Sequence, residues 1–241
     1  MLIRVSPDIT PGRISVNSCK IYANFMIKEN IEKILKELPQ GVELVIAAKG
    51  RSADEVKAAV SSGVSLVGEN YVQEAEQKFS VLGNQAKWHC IGHLQKNKIK
   101  KAVRIFDMIQ TLDSQGTADL IDKECAKVGK VMPVLIEVNS GREEQKSGVL
   151  PQDVDSLIRK VIDYKNIKLM GLMTMGPQVC DVETLRPFFR ETKSIFERVK
   201  ALYGAKLEWR ILSMGMSDSY RVAIEEGANM VRIGTGIFRQ R

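Results

Sequence analysis

The sequence predicts an α/β barrel of eight parallel strands, the TIM (β/α)8 architecture, as a single domain over residues 1–241. Three observations carry this expectation. Short apolar runs recur eight times, each behind a helical segment and at intervals of roughly 20 to 40 residues, which is the signature of βαβ units and a parallel sheet. Eight such units in 241 residues match the size of a closed barrel. The turn after the first strand, Lys49-Gly50-Arg51, lacks the glycine-rich dinucleotide fingerprint of an open doubly wound sheet.

Ile27, Ile31, Ile34, Leu35 and Leu38 recur at helical spacing and Pro39-Gln40-Gly41 stops the run, so residues 26–38 form an amphipathic helix. Residues 43–48 are a short apolar run suited to a strand buried on both faces, and Lys49 ends it. A helix over 52–62 opens at Ser52 with Glu55 three places on, the spacing of a capping box. A strand over 65–68 follows, then a helix over 72–82, an extended segment over 88–91, a helix over 96–103 and an extended segment over 107–111. Ala118, Ile121 and Cys125 give one apolar face to a helix over 114–127, and residues 133–138 are the plainest strand. The alternation closes with helix 152–162, strand 168–173, helix 182–203, strand 207–212, helix 219–226 and strand 230–233. Segment 1–24 fits none of these units and reads as an atypical N-terminal addition.

Hydrophobic residues at 44% and charged residues at 27% belong to a globular chain, which excludes disordered and fibrous classes. Cys19, Cys90, Cys125 and Cys180 include no C-x-x-C pair, so reduced thiols in a cytoplasmic protein are expected. The opening residues carry Arg4 and Asp8 and lack an apolar stretch of signal-peptide length. Nowhere do about 18 uncharged apolar residues run together, so no membrane partner is expected. A net charge of +7 favours anionic partners. Lys96, Lys98, Lys100 and Lys101 read as the solvated face of one helix and no nucleic-acid role is expected, because aromatic content is 6% and no reading motif is present.

In such a barrel the active groups stand at the C-terminal strand ends, and phosphate is often held after strands 7 and 8. Those two ends read Ser213-Met-Gly-Met-Ser217 and Arg232-Ile-Gly-Thr-Gly236. Small and hydroxyl residues there let backbone N–H groups approach an anion, so Ser213, Gly215, Gly234 and Thr235 are the candidate cradle. The competing reading is ordinary turn and cap residues. Lys49 closes strand 1, which neighbours strand 8 when a barrel closes. Partial burial beside other cations would lower its pKa toward the neutral, nucleophilic amine. The implied ligand is a phosphorylated aldehyde, and pyridoxal 5'-phosphate fits best; a solvated strand-end lysine is the alternative. Arg232 alternates with Val231 and Ile233, so it points into the barrel mouth, where it could face the pyridine nitrogen and make the ring a weak electron sink. A buried ion pair with Glu137 or Glu69 is the alternative there. His89 and His93 flank a strand end without a third ligand nearby, so no metal is expected and a hydrogen-bonding or stacking role at the cofactor rim is preferred.

Lys49 after an apolar strand, Gly68-Glu-Asn-Tyr-Val-Gln-Glu74, Trp88-His-Cys-Ile-Gly-His-Leu-Gln-Lys-Asn-Lys98, Lys146-Ser-Gly148, Gly171-Leu-Met173, Ser213-Met-Gly-Met-Ser-Asp218 and Met230-Val-Arg-Ile-Gly-Thr235 together resemble the YggS/PROSC family of pyridoxal phosphate homeostasis proteins. The match runs from about Glu43 to Phe238. The resemblance implies the fold of the alanine racemase N-terminal domain and an internal aldimine on Lys49. It also implies that Ser213, Gly234 and Thr235 hold the phosphate, that Arg232 faces the ring nitrogen and that Asn70 lies near the cofactor. Three departures stand out: Ala47-Ala-Lys-Gly-Arg51 replaces the usual hydroxyl-bearing neighbours of the lysine, Cys90 replaces a larger apolar residue, and the residues before Glu43 are atypical.

The resemblance implies a carrier that buffers free pyridoxal phosphate, with no catalytic residues, possible delivery to apo-enzymes, and a monomeric state. A racemase is the runner-up. It needs a second proton acceptor on the opposite face of the cofactor, which in the racemases comes from a separate β-domain, and after strand 8 only residues 234–241 follow, with Phe238 to Arg241 the last of them.

Overall fold

The structure is a computed structural model that describes residues 16–239. The first helix, α1 (Val16–Glu37), begins ten residues ahead of the expected 26–38, so part of segment 1–24 is helical and the remainder lies outside the described residues. Then come β1 (Glu43–Ala47), α2 (Ala53–Ser61), β2 (Leu66–Glu69), α3 (Val72–Leu82), β3 (Lys87–Cys90), α4 (Ile99–Ile105) and β4 (Met108–Leu112). The second half runs through α5 (Gln115–Ala126), β5 (Met132–Glu137), α6 (Val154–Val161), β6 (Ile167–Met173), α7 (Arg186–Tyr203), β7 (Ile211–Ser213), α8 (Tyr220–Glu225) and β8 (Met230–Ile233). One further turn, α9 (Thr235–Phe238), follows β8 directly and was not expected.

The eight strands are all parallel and close into a barrel in chain order. Closure is made by β1 against β8, with Val45 opposite Arg232 and Ile46 opposite Ile233. Ser52 caps α2 as its spacing predicts, accepting from the Glu55 amide at 3.2 Å while its own amide donates to Glu55 Oε2 at 2.8 Å. The seventh strand starts four residues later than expected. Trp209 is buried, stacks on Phe196 at 5.7 Å and donates to the Phe196 carbonyl at 3.0 Å, so the chain before Ile211 is committed to packing under α7. Among the described residues no helix is long and apolar enough to cross a membrane.

Two apolar zones form. The larger lies between strands and helices and contains Ile46, Val67, Trp88, Ile109, Val134 and Val231. The smaller lies inside the barrel, where Val45, Met108, Leu135, Ile211 and Met230 form a floor. Side chains two apart on a strand share a face. One step further along the same five strands therefore come Ala47, Gln110, Glu137, Ser213 and Arg232, and the interior turns from apolar to mostly polar within a single layer.

Closure leaves no room between β6 and β7. At Gly171 (φ +151°) a Cβ would stand 1.7 Å from the carbonyl oxygen of Ile211, its paired residue, whereas at Gly63 (φ +98°) a Cβ would meet nothing within 4 Å. Gly63→Ala is expected to cost about 1 kcal/mol, the backbone penalty alone. Gly171→Ala is expected to cost about 4 kcal/mol or more, because the ladder must open. Urea unfolding of the two variants measures the difference, and equal losses would show that the β6–β7 contact does not limit the fold.

Candidate functional site

The chain leaves β1 through a tight turn in which the Ala48 carbonyl accepts from the Arg51 amide at 3.0 Å. Gly50, at the third position, has φ +69°, the positive value a type II turn requires there. Lys49 sits at the corner of this turn. Its side chain is exposed, correcting the expectation of partial burial, and Nζ lies 5.5 Å from the centroid of the Tyr71 ring. A cation at this distance is attracted by the face of the ring, so Tyr71 gives the lysine a resting place beside the mouth.

Across the β1–β8 seam, the backbone amides of Gly234 and Gly236 converge on one atom. Both donate to Ser217 Oγ, at 3.2 and 3.1 Å. A Cβ on Gly234 would lie 3.0 Å from the Ala47 carbonyl oxygen, so a larger residue would crowd the seam. Lys49, Asn70, Arg232, Gly234 and Thr235, five of the seven residues singled out from sequence, line one cavity of about 340 Å³, together with Arg51, Ser217 and Asp218.

The other two do not line it. Ser213 is fully buried at the end of β7, accepts from Arg232 Nη1 at 2.6 Å and donates to Gln110 Oε1 at 2.8 Å. It supports the arginine from below. Gly215 (φ +88°) allows the loop after β7 to touch α8, since a Cβ there would come within 2.7 Å of Ala223 Cβ, and its carbonyl accepts from the Arg232 amide at 3.1 Å. The serine on the cavity wall is Ser217, four residues beyond Ser213. Ser217 lies in the same Ser213-Met-Gly-Met-Ser217 strand end, outside the expected cradle of Ser213, Gly215, Gly234 and Thr235.

Arg232 is 3% exposed and also donates from Nη2 to the Thr174 carbonyl at 2.8 Å. Burial lowers its pKa to about 10, against the pull of Glu137, so it stays cationic at neutral pH. Neither carboxylate considered for it closes an ion pair. Glu69 pairs with Lys78 at 2.6 Å, and Glu137 Oε2 is buried with no hydrogen-bond partner. Burial raises Glu137 to about 7, with Asp113 adding to the rise and Arg232 opposing it. Below the arginine, Gln110 Nε2 donates to His89 Nδ1 at 2.9 Å. Burial lowers His89 to about 4, so it is neutral and can accept. Neither histidine lines the cavity. His93 is exposed, with Nδ1 3.0 Å from Ser147 Oγ and 3.4 Å from Asp113 Oδ2. Among the described residues no group of three or more His, Cys, Asp or Glu is placed to hold a metal.

Residues 26–241 match the family described as the N-terminal domain of alanine racemase. A pyridoxal phosphate homeostasis protein of Aquifex aeolicus (strain VF5) is 36% identical over 230 residues, covering 94% of this chain and 99% of that protein. The chain belongs to this family. PipY of Synechococcus elongatus PCC7942, solved with PLP bound, superposes with a TM-score of 0.82 at 28% identity, covering 88% of this chain and 100% of that one. Alanine racemase from Corynebacterium glutamicum shares the fold with a TM-score of 0.70 at 18% identity, covering 90% of this chain and 61% of that one.

The buried carboxyl beside Arg232 yields a pH prediction. Glu137 has its pKa raised from 4.5 to about 7, so the folded state binds more protons than the unfolded state between these values. Its contribution to stability is fully present below pH 4.5 and is lost as pH rises through about 7. Glu137→Gln, neutral throughout, is expected to match wild type near pH 4 and to exceed it by roughly 2 kcal/mol at pH 8. Urea midpoints at the two pH values test this, and a variant less stable at pH 8 would show that ionised Glu137 is a net stabiliser.

Proposed function

We propose that the cavity at the β1–β8 seam binds pyridoxal 5'-phosphate and that the protein serves as a carrier in pyridoxal phosphate homeostasis. One observation carries the reading: Lys49 after β1 and the turn Gly234-Thr235 after β8 line the same cavity, with Ser217 on its wall gathering the amides of Gly234 and Gly236. The donor set suits a phosphate. The amides of Gly234 and Gly236, gathered here on Ser217 Oγ, are donors that an anionic oxygen would take over from that hydroxyl, and Thr235 adds a second hydroxyl on the same wall. When bound, the cofactor supplies an aldehyde that can condense with a primary amine and release one water.

In this assignment Lys49 is the amine that retains the cofactor, and Ser217, Gly234, Thr235 and Gly236 hold the phosphate. Arg232, kept cationic and pinned by Ser213 and the Thr174 carbonyl, faces the pyridine nitrogen; Asn70 flanks the ring. An arginine at that nitrogen discourages its protonation, which suits storage better than carbanion chemistry. Ser213 and Gly215 act through Arg232 and through loop shape. The Aquifex relative named for pyridoxal phosphate homeostasis, matched along 99% of its length, supports the carrier role. The likeness to alanine racemase, at 18% identity, bears on fold alone. We extend the proposal to a cytoplasmic monomer that passes the cofactor to apo-enzymes.

Purified wild type supplied with pyridoxal phosphate is expected to be yellow and, after borohydride reduction, to carry the cofactor's mass on the peptide containing Lys49. Lys49→Ala should carry none. Absence of the adduct in wild type refutes the assignment, and sustained racemisation of alanine or serine by the loaded protein refutes the carrier role. Ser217→Ala should weaken pyridoxal phosphate binding about ten-fold, the loss of one hydrogen bond to a charged group, while leaving unphosphorylated pyridoxal unaffected. Equal losses for both ligands would remove Ser217 from the phosphate site.

A further inference from the structure

The peptide units on both sides of Lys49 are fastened to a single helix. Lys78, on α3, is 5% exposed. Its Nζ donates to the Ala48 carbonyl at 2.7 Å, to Glu69 Oε1 at 2.6 Å and to Glu74 Oε2 at 3.1 Å, which uses all three ammonium protons. The same Glu74 Oε2 accepts from the Gly50 amide at 2.7 Å. Glu74 and Lys78 are one helical turn apart and share a face of α3. From that face they hold the carbonyl of residue 48 and the amide of residue 50, with Lys49 between.

The arrangement is costly as mere packing. A buried ammonium and a buried carboxylate lose their hydration, and an apolar pair of similar volume would join α3 to β2 at least as well. Glu69 is fully buried, its Oε2 has no hydrogen-bond partner, and burial raises its carboxyl to about 7 against the pull of Lys78. Burial also acts to raise Glu74, but the Gly50 amide and Lys78 hold it below its ordinary value. What the ionic trio does that an apolar pair could not is grip two main-chain atoms.

We propose that Glu74 and Lys78 are positioning residues for Lys49, fixing the backbone from which its exposed side chain reaches the cavity. This inference rests on the pyridoxal phosphate reading. A long, solvated lysine has many rotamers, and the part of its geometry that the backbone presets is the direction of its Cα–Cβ bond. Presetting favours condensation of the amine with an aldehyde, in which one water leaves. It contributes nothing to holding the phosphate or the ring nitrogen, whose donors lie on β8 and the loops after β7 and β8.

Lys78→Met leaves Glu69 buried without its cation and can unfold the chain, so the test is made at Glu74, whose side chain is 30% exposed. Three quantities are compared in wild type, Glu74→Ala and Glu74→Gln: borohydride-fixed pyridoxal phosphate on the Lys49 peptide, affinity for pyridoxine 5'-phosphate, which has no aldehyde, and thermal midpoint. Glu74→Ala is expected to need about ten-fold more pyridoxal phosphate for half-maximal fixation, equivalent to one charge-assisted hydrogen bond. Pyridoxine 5'-phosphate affinity should stay within about two-fold of wild type. Glu74→Gln, which keeps an acceptor for the Gly50 amide, should recover most of the fixation. Unaltered fixation in Glu74→Ala overturns the proposal, as does an equal loss of both ligands. Wild type that fixes no cofactor at Lys49 overturns the underlying reading as well, whereas wild type that does so beside an unaltered Glu74→Ala overturns the positioning role alone.

Discussion

Parallel pairing of β1 with β8 is the contact on which the site depends. The two strands are separated by most of the chain, yet Val45 lies opposite Arg232 and Ile46 opposite Ile233. This register sets the turn at residues 48–51 beside the amides of residues 234 and 236. Were the sheet open, Lys49 and Thr235 would stand on opposite edges and no cavity would join them. The close approach of Gly234 to the Ala47 carbonyl shows how tightly the seam is drawn. A strand pairing usually discussed as architecture is here the step that assembles chemistry.

Beneath the seam the barrel interior is graded. Its apolar floor gives way, one layer higher, to Gln110, Glu137, Ser213 and Arg232. Burying an arginine is tolerable only when its donors are used, and Ser213 and Thr174 use two of them. Glu137 feels the arginine at longer range without forming a pair, and burial, which outweighs that attraction, holds its ionisation back. The polar layer thus shapes the cavity floor through Arg232, which lines it, and through groups behind the arginine that do not. Ser213 is the clearest case, since it touches the arginine and not the cavity.

Much of this was legible in the amino-acid order. Strands buried on both faces give uninterrupted apolar runs, and the place of Lys49 at the end of the first run follows directly. The error at Ser213 has a definite cause. The seventh strand reads as residues 207–212, which leaves Ser213 in a loop, whereas β7 extends to Ser213 and strand alternation turns its hydroxyl inward. Ser217 then takes the position on the wall. Trp209 misled the start of the same strand, because an aromatic with strand propensity packs under a helix instead. The early turns of α1 escaped because Tyr22 and Phe25 are exposed and no apolar stripe marks them. The hydrogen bond between Ser213 and Gln110 spans 103 positions, and that between Lys78 and Ala48 joins a helix to a turn. Neither leaves a local pattern to read.

The hydrogen bonds under the cavity run in one direction. Arg232 gives to Ser213, Ser213 gives to Gln110, and Gln110 gives to a neutral His89. Every link spends its hydrogen downward, and the third donor is a carboxamide, which neither takes up nor gives up a net proton at ordinary pH. This hydrogen-bonded chain is therefore insulating: His89 at its lower end cannot relay H⁺ along it to a ligand at the mouth, and a protonation change there comes from bulk water at the open rim or from the buried carboxyl of Glu137, which lies off the chain.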